Sequence, residues 1–183
     1  MSQIFGGFKT LTAGGYICKI LACKTEVSKS NKQMLVINFD IAEGEFKDWY
    51  LNKYKSAPRD ANNPVEPKWQ GKYYLLLEGE GYEGRLKAFT TSVEESNEGY
   101  TWDWNEENLK GKLFGAIFRE EEFIWNGAIL TSCKIWQARS TKKIRANDFD
   151  IPRKKELTQE DIDALNAPFN QQSFAITDDD LPF

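Results

Sequence analysis

The clearest strand pattern in the chain is QMLVINFDIA at residues 33–42. Alternate positions in it are apolar: Leu35, Ile37, Phe39 and Ile41. This period of two is typical of a strand with one buried face. A polar turn at 28–32 and another strand-like run at 16–27 precede it. The sequence therefore predicts an antiparallel hairpin that begins the fold.

Later segments extend this hairpin into a mainly β domain: a strand at 46–51, a helix at 86–95, and strands at 113–125 and 128–136. Residues 69–77 are apolar and fit either a strand or a helix. Asn126-Gly127 separates the last two strands and is a strong signal for a tight hairpin turn. Three strands, a helix and a final hairpin are the element order of an OB-fold, a five-stranded antiparallel barrel. We predict that fold class, followed by a disordered acidic C-terminal tail.

Composition divides the chain into four predicted segments: an N-terminal arm at 1–13, an OB-fold domain with a basic C-terminal extension at 14–155, a short helix at 156–166, and a flexible acidic tail at 167–183. Thr158 and Asp161 have the spacing of a capping box, which predicts where the short helix begins. The last segment starts with a polar stretch that has no apolar period, as in a flexible linker.

Several classes of protein are disfavoured by composition. Histidine is absent, which removes the usual general base and a common zinc ligand. No apolar run approaches the roughly 18 residues that a membrane span needs. Three cysteines without Cys-x-x-Cys spacing indicate buried thiols in a reducing compartment. We expect a cytoplasmic protein that is not an enzyme and uses no cofactor or metal.

Charge is distributed unevenly along the chain. Residues up to Lys155 include 24 basic and 21 acidic residues, a net charge of +3. Beyond Lys155 there are seven acidic residues and no Lys or Arg. A basic body with an acidic end is typical of proteins that meet a polyanion with one part and hold the other part away from it, although a solubilising tail gives the same pattern.

The segment from residue 46 to residue 74 interleaves aromatic and basic side chains. Cations neutralise phosphates while exposed rings stack on unpaired bases, so this mixture is typical of single-stranded nucleic acid binding. We predict that the binding residues here are Trp49, Lys53, Tyr54, Lys55, Lys68, Trp69, Lys72 and Tyr73. Lys134 and Trp136 on the last strand form a second candidate surface. The alternative is that many of these rings belong to the core and the lysines to a solvated rim.

The chain ends in Asp178, Asp179, Asp180, Leu181, Pro182 and Phe183. An apolar triplet after three aspartates contributes nothing to solubility, but it suits a docking peptide. The terminal ring fills an apolar pocket and the acidic run steers towards a basic rim. These six residues are therefore the predicted partner-binding element.

That C-terminus closely resembles the tip of bacterial single-stranded DNA-binding proteins, with Leu181 where Ile is more usual. The body resembles a phage-encoded family of OB-fold single-stranded DNA-binding proteins, through the motifs at residues 15–17, 39–44, 97–102, 110–115 and 149–152. The resemblance implies a protein that coats single-stranded DNA during phage replication or recombination in the bacterial cytoplasm. It also implies that replication and recombination proteins are recruited through the tip.

Three alternatives remain open from the sequence. An OB-like barrel also serves as a protein-binding adaptor without nucleic-acid activity, and RNA is a third ligand class for such a barrel. Asp40 followed by Glu45 and Lys47 on the next predicted strand resembles a metal-dependent nuclease site, but turns are rich in charges by default. A homodimer is compatible with the sequence, which fixes neither oligomeric state nor the length of the binding site.

Overall fold

The computed structural model describes residues 4–5, 8–62 and 64–166. Its main feature is a five-stranded antiparallel sheet with the strand order β5-β4-β3-β6-β7. The strands are β3 (Gly14–Val27), β4 (Gln33–Ile41), β5 (Lys72–Leu76), β6 (Leu113–Trp125) and β7 (Ala128–Arg139). A separate two-stranded hairpin precedes them, formed by β1 (Ile4–Phe5) and β2 (Phe8–Lys9). The mainly β class is confirmed, and the five-stranded sheet is open, with β5 and β7 at its edges.

The described residues also contain four α-helices: α1 (Trp49–Ser56), α2 (Tyr82–Ser96), α3 (Thr141–Arg145) and α4 (Gln159–Asn166). A 3-10 turn at Glu106–Leu109 lies between α2 and β6. The predicted helix at 86–95 is confirmed as part of α2. The predicted short helix is confirmed as α4, and its capping box is present: the Asp161 amide donates to Thr158 Oγ1 at 3.2 Å, and the Thr158 amide donates to Asp161 Oδ2 at 3.0 Å. None of the described helices is long and apolar enough to cross a membrane.

The predicted strand at 46–51 is wrong. Residues from Trp49 onward form α1, and the third strand of the meander is β5, later in the chain. Its register with β4 pairs Ile37 with Tyr73 and Asn38 with Lys72. The helix α1 therefore lies between β4 and β5. It occupies part of the segment that the sequence predicted to be the third strand.

The core lies on the inner face of the sheet, beneath α2. All four alternating residues of β4 are buried, as their period predicted: Leu35, Ile37, Phe39 and Ile41. The Phe39 ring meets the Phe114 and Phe118 rings edge-on, with centroids 6.0 and 6.1 Å away. On α2, Phe89 meets Phe114 at 5.4 Å, and burial of such rings is the main source of stability in a domain of this size.

The β6–β7 hairpin projects beyond the rest of the sheet. β6 pairs with β3 only over residues 113–118, whereas its pairing with β7 continues to Trp125 and Ala128. Asn126 and Gly127 make the tight turn with positive φ angles of 48° and 76°, so the predicted hairpin is confirmed. The end of the basic segment packs beside this hairpin, because Lys155 forms a parallel bridge with Glu121.

All three cysteines are free thiols within this fold. Cys18 is fully buried, and burial raises its pKa well above the usual range. Cys23 and Cys133 are half-buried, and desolvation raises the pKa of each to about 12. The thiols are therefore protonated at neutral pH, when they behave as small apolar side chains.

Candidate nucleic-acid interface

The helix α1 begins where a buried carboxylate satisfies its first amides. Asp40 Oδ1 accepts the backbone N–H of Tyr50 at 3.0 Å, and Oδ2 accepts that of Leu51 at 2.9 Å. Asp48 directly precedes the helix with a left-handed φ of 57° and makes no side-chain cap. Asp40 on β4 therefore supplies the cap from a neighbouring strand. Burial raises the pKa of the Asp40 carboxyl group, an effect that the amide hydrogen bonds partly offset.

Trp49 and Lys53 form a cation–π pair on α1. Their spacing of four residues puts both side chains on one face of the helix, with the Lys53 ammonium 4.7 Å from the ring centroid. The Trp49 ring packs edge-on against Tyr50 at 4.8 Å. Its indole N–H donates to the carbonyl of Lys9 at 3.1 Å, which ties the N-terminal hairpin to α1. Trp49 is therefore a structural residue with one ring face beside a cation.

Tyr54 in the last turn of α1 and Trp69 in the segment before β5 continue the same arrangement. Their ring centroids are 5.9 Å apart, and the Arg59 guanidinium lies 5.5 Å from the Tyr54 centroid. The Tyr54 hydroxyl donates to Glu66 at 3.2 Å, on the loop that leads to Trp69. We call Trp49, Lys53, Tyr54, Arg59 and Trp69 the α1 aromatic surface. It alternates rings with cations, which suits stacking on bases and pairing with phosphates.

Close backbone packing positions Trp69. Its indole N–H is shared between the carbonyls of Phe39, at 3.3 Å, and Gly71, at 3.0 Å. The Phe39 amide donates back to the Gly71 carbonyl at 2.8 Å. A Cβ at position 71 would collide with the Phe39 carbonyl oxygen, so this approach requires glycine. The sequence predicted Trp69 as a site residue but gave no sign of this support.

The other predicted lysines of this segment lie around the α1 aromatic surface in different settings. Lys55 and Lys68 are exposed, the first in the last turn of α1 and the second directly before Trp69. Lys72 is half-buried on β5, opposite Asn38 on the outer face of the sheet. The structure thus places Lys72 on the sheet and Lys55 and Lys68 on the helix and loop beside it.

Tyr73 and Trp136 come together at the open side of the sheet. Tyr73 packs on Phe89 with centroids 6.1 Å apart, and desolvation raises its pKa to about 12. Trp136 is half-exposed on β7, and both residues line a shallow cavity of about 230 Å³ with Arg85 of α2. The cavity lies between the two edge strands, and its lining includes Tyr73 from the first predicted surface and Trp136 from the second. It is separate from the α1 aromatic surface, and Tyr73 faces the core there.

Lys134 is held in a charge cluster on the projecting hairpin. Its ammonium is 3.9 Å from Glu121, which also pairs with Arg119 at 2.5 Å. Glu121 is largely buried, so it anchors both cations on the sheet. Lys134 therefore contributes less free positive charge than the sequence indicated.

Sequence reasoning did not select Arg59 or Arg85 as site residues, although each lies beside a predicted ring. Arg59 is one of the bases of the interleaved segment, but lysines were selected there instead. Arg85 is the fourth residue of α2 and carries no distinguishing signal in the sequence. It also passed over Asn38 and Tyr74, on the outer face of β4 and β5. The Asn38 carbonyl oxygen and Tyr74 hydroxyl are buried without a hydrogen-bond partner among the described residues, beside Lys72.

The carboxylates of the nuclease alternative have other contacts. Asp40 is buried and its oxygens accept backbone amides of α1, while Glu45 pairs with Lys9 of the N-terminal hairpin. The described residues contain no group of three His, Cys, Asp or Glu side chains arranged to hold a metal ion. A metal on Asp40 would have to displace the amides that start α1.

The predicted partner-binding residues, Asp178 to Phe183, lie outside the described residues. Comparison with known protein families finds no matching family model, and comparison with curated proteins finds no match.

Proposed function

We propose that the chain binds single-stranded DNA without strong sequence preference, as a coating protein in replication or recombination. The observation that carries the proposal is the alternation of rings and cations on the α1 aromatic surface. Lys53 lies over Trp49, Arg59 lies over Tyr54, and Trp69 extends the ring surface. Single strands expose both bases and phosphates to such a surface, whereas a duplex hides the base faces.

The strand order supports an OB-fold as the finer fold assignment. A three-strand meander, a helix and a terminal hairpin give the order β5-β4-β3-β6-β7, and an OB-fold results if the edge strands approach each other. Such barrels bind oligonucleotides on the face of their second and third strands, which here are β4 and β5. Asn38, Lys72 and Tyr74 lie on that outer face.

A salt titration of oligo-dT binding tests the proposal, with anisotropy as the readout and matched duplex as the comparison. For single strands, log K falls with log salt at a slope of about −0.7 per phosphate neutralised. We expect the double variant Lys53→Gln, Lys55→Gln to reduce the slope by up to about 1.4. The control is Lys110→Gln, Lys112→Gln, which removes the same charge directly after the 3-10 turn Glu106–Leu109.

If the slope of log K against log salt is unchanged in Lys53→Gln, Lys55→Gln but reduced in the control, the DNA does not contact α1 and passes near Lys110 and Lys112. No binding to oligo-dT at low salt would reject the proposal and favour the protein-binding adaptor. Equal binding of oligo-dT and oligo-rU would extend the ligand class to RNA.

The C-terminal residues 178–183 are proposed to recruit replication or recombination proteins in the cytoplasm. The same acidic end competes with DNA for the basic body when both are free to meet. Deleting residues 178–183 is therefore expected to raise oligo-dT affinity several-fold at low salt and little at high salt, where charge is screened. Replacement of Leu181 and Phe183 by Ala keeps the charge and serves as the control, so an equal gain in both variants would contradict competition by charge.

A further inference from the structure

A second aromatic cluster lies between α2 and β6, at residues 100–104. Trp104 is 76% exposed, more than any other large hydrophobic residue in the described part of the chain. Its backbone has a φ of 62°, a left-handed conformation that is unfavourable for a bulky side chain. Backbone in such a conformation persists only when the surrounding structure holds it, and it is enriched at ligand sites.

Hydrogen bonds on both sides hold Trp104 in place. Asp103 accepts the Asn105 amide at 3.0 Å and the Asn108 side-chain amide at 2.6 Å. Asn105 caps the 3-10 turn by accepting the Glu107 amide at 3.1 Å. On the other side, the Trp102 amide donates to Glu94 of α2 at 2.8 Å. The indole is thus presented to solvent from a braced turn, so little conformational freedom is lost when a ligand contacts it.

The cluster already attracts a cation. The Lys112 ammonium lies 4.9 Å from the centroid of the Tyr100 ring. Trp102 and Trp104 are 5.8 Å apart and tilted by 53°, so they form an angled aromatic surface beside it. Trp is the strongest of the aromatic side chains in binding cations over its face. Trp104 offers the most open such face in this cluster.

Charge determines which ligands this surface accepts. Residues 88–112 contain six carboxylates and two lysines, Lys110 and Lys112, the second of which lies over Tyr100. Glu98, Asp103 and Glu107, which flank Trp104 in sequence, are all exposed. The carboxylates outnumber the lysines, so a phosphate is disfavoured here, whereas a cationic side chain gains both from the carboxylates and from the ring.

We propose that Trp104, with Trp102 and the flanking carboxylates, docks a basic segment of a partner protein, with an Arg side chain over the Trp104 ring. The surface is distinct from the α1 aromatic surface, so the proposal stands independently of DNA binding. Arg suits it better than Lys, because its planar guanidinium stacks on a ring while its N–H groups reach carboxylates. The C-terminal tip and this cluster would then engage different surfaces of recruited proteins.

The test is a titration of the full-length, ¹⁵N-labelled protein with the capped peptide acetyl-Gly-Arg-Gly-amide. The six indole N–H signals report each Trp separately, and Trp104→Phe identifies its own signal by loss. We expect the Trp104 signal to shift saturably while that of Trp125, the half-exposed indole on the hairpin, stays in place. The double variant Glu98→Gln, Glu107→Gln is expected to weaken binding about 2- to 5-fold, because exposed ion pairs contribute up to about 1 kcal/mol.

The same peptide with citrulline in place of Arg is the matched ligand control, since it keeps the shape and removes the charge. Equal shifts with both peptides, or no shift of the Trp104 signal, would overturn the proposal. A shift of the Trp104 signal with oligo-dT and none with the Arg peptide would also overturn it and make the cluster part of the DNA path. A protein that does not bind oligo-dT can still bind the Arg peptide at Trp104, so the failure of one proposal is distinguishable from the failure of the other.

Discussion

Replacing Tyr54 with Ala is expected to weaken binding to oligo-dT by about 5- to 150-fold, because one base–aromatic stack contributes roughly 1–3 kcal/mol. Tyr54 is the best ring to remove. The indoles of Trp49 and Trp69 donate to backbone carbonyls and support the fold, so their loss would change folding and binding together. The Tyr54 hydroxyl bonds only to Glu66 on an exposed loop among the contacts described. Anisotropy at low and moderate salt measures the change.

Tyr54→Phe is the control for this variant, because it keeps the ring beside Trp69 and removes only the hydroxyl. We expect its affinity to stay within about twofold of the wild type. Urea denaturation of both variants checks that the domain is intact. If Tyr54→Ala binds oligo-dT as tightly as the wild type at every salt concentration, bases do not stack on α1.

Replacing Asp40 with Ala is expected to reduce the free energy of unfolding by about 2–4 kcal/mol. The change leaves the amides of Tyr50 and Leu51 without their acceptor at a buried helix start, and each unsatisfied group costs about 1–3 kcal/mol. A helix of eight residues is too short to be stable by itself. We therefore expect α1 to loosen and oligo-dT affinity to fall in the same variant.

Asp60→Ala provides the comparison, since Asp60 also accepts a backbone amide, from Asn62, but on an exposed loop. Its effect on stability is expected to stay within about 0.5 kcal/mol. Asp40→Asn keeps one acceptor oxygen and should give an intermediate loss. Urea denaturation measures the free energy of unfolding of all three variants, and an unchanged slope of that free energy against urea concentration makes the values comparable. An Asp40→Ala protein as stable as Asp60→Ala would show that the cap contributes nothing to stability.

Patterns that depend on neighbouring residues were predictable from the sequence. The alternation in β4 sets which residues are buried, and Asn126-Gly127 adopts the positive φ angles that a tight hairpin turn needs. The apolar period of α2 likewise fixes its buried face, which includes Leu86, Phe89 and Val93. These signals come from residues that are close together in the sequence, so they can be recognised without knowledge of the rest of the fold.

The start of α1 was not predictable, because its cause is distant in the chain. Residues 46–51 alone fit a strand, and the acceptor that favours a helix is on β4, ten residues before Tyr50. The same applies to the candidate site. The mixture of rings and cations was visible, but the burial of Tyr73 against Phe89 and the exposure of Trp104 depend on packing between elements.

The protonated thiols of the fold make the protein well suited to site-specific labelling. Maleimides react with the thiolate, and the pKa values of about 12 for Cys23 and Cys133 leave very little thiolate at neutral pH. Cys18 is fully enclosed as well. A cysteine introduced at an exposed position such as Lys55 or Trp125 would be modified selectively, so a single fluorophore can report distances across the domain without removal of the natural cysteines.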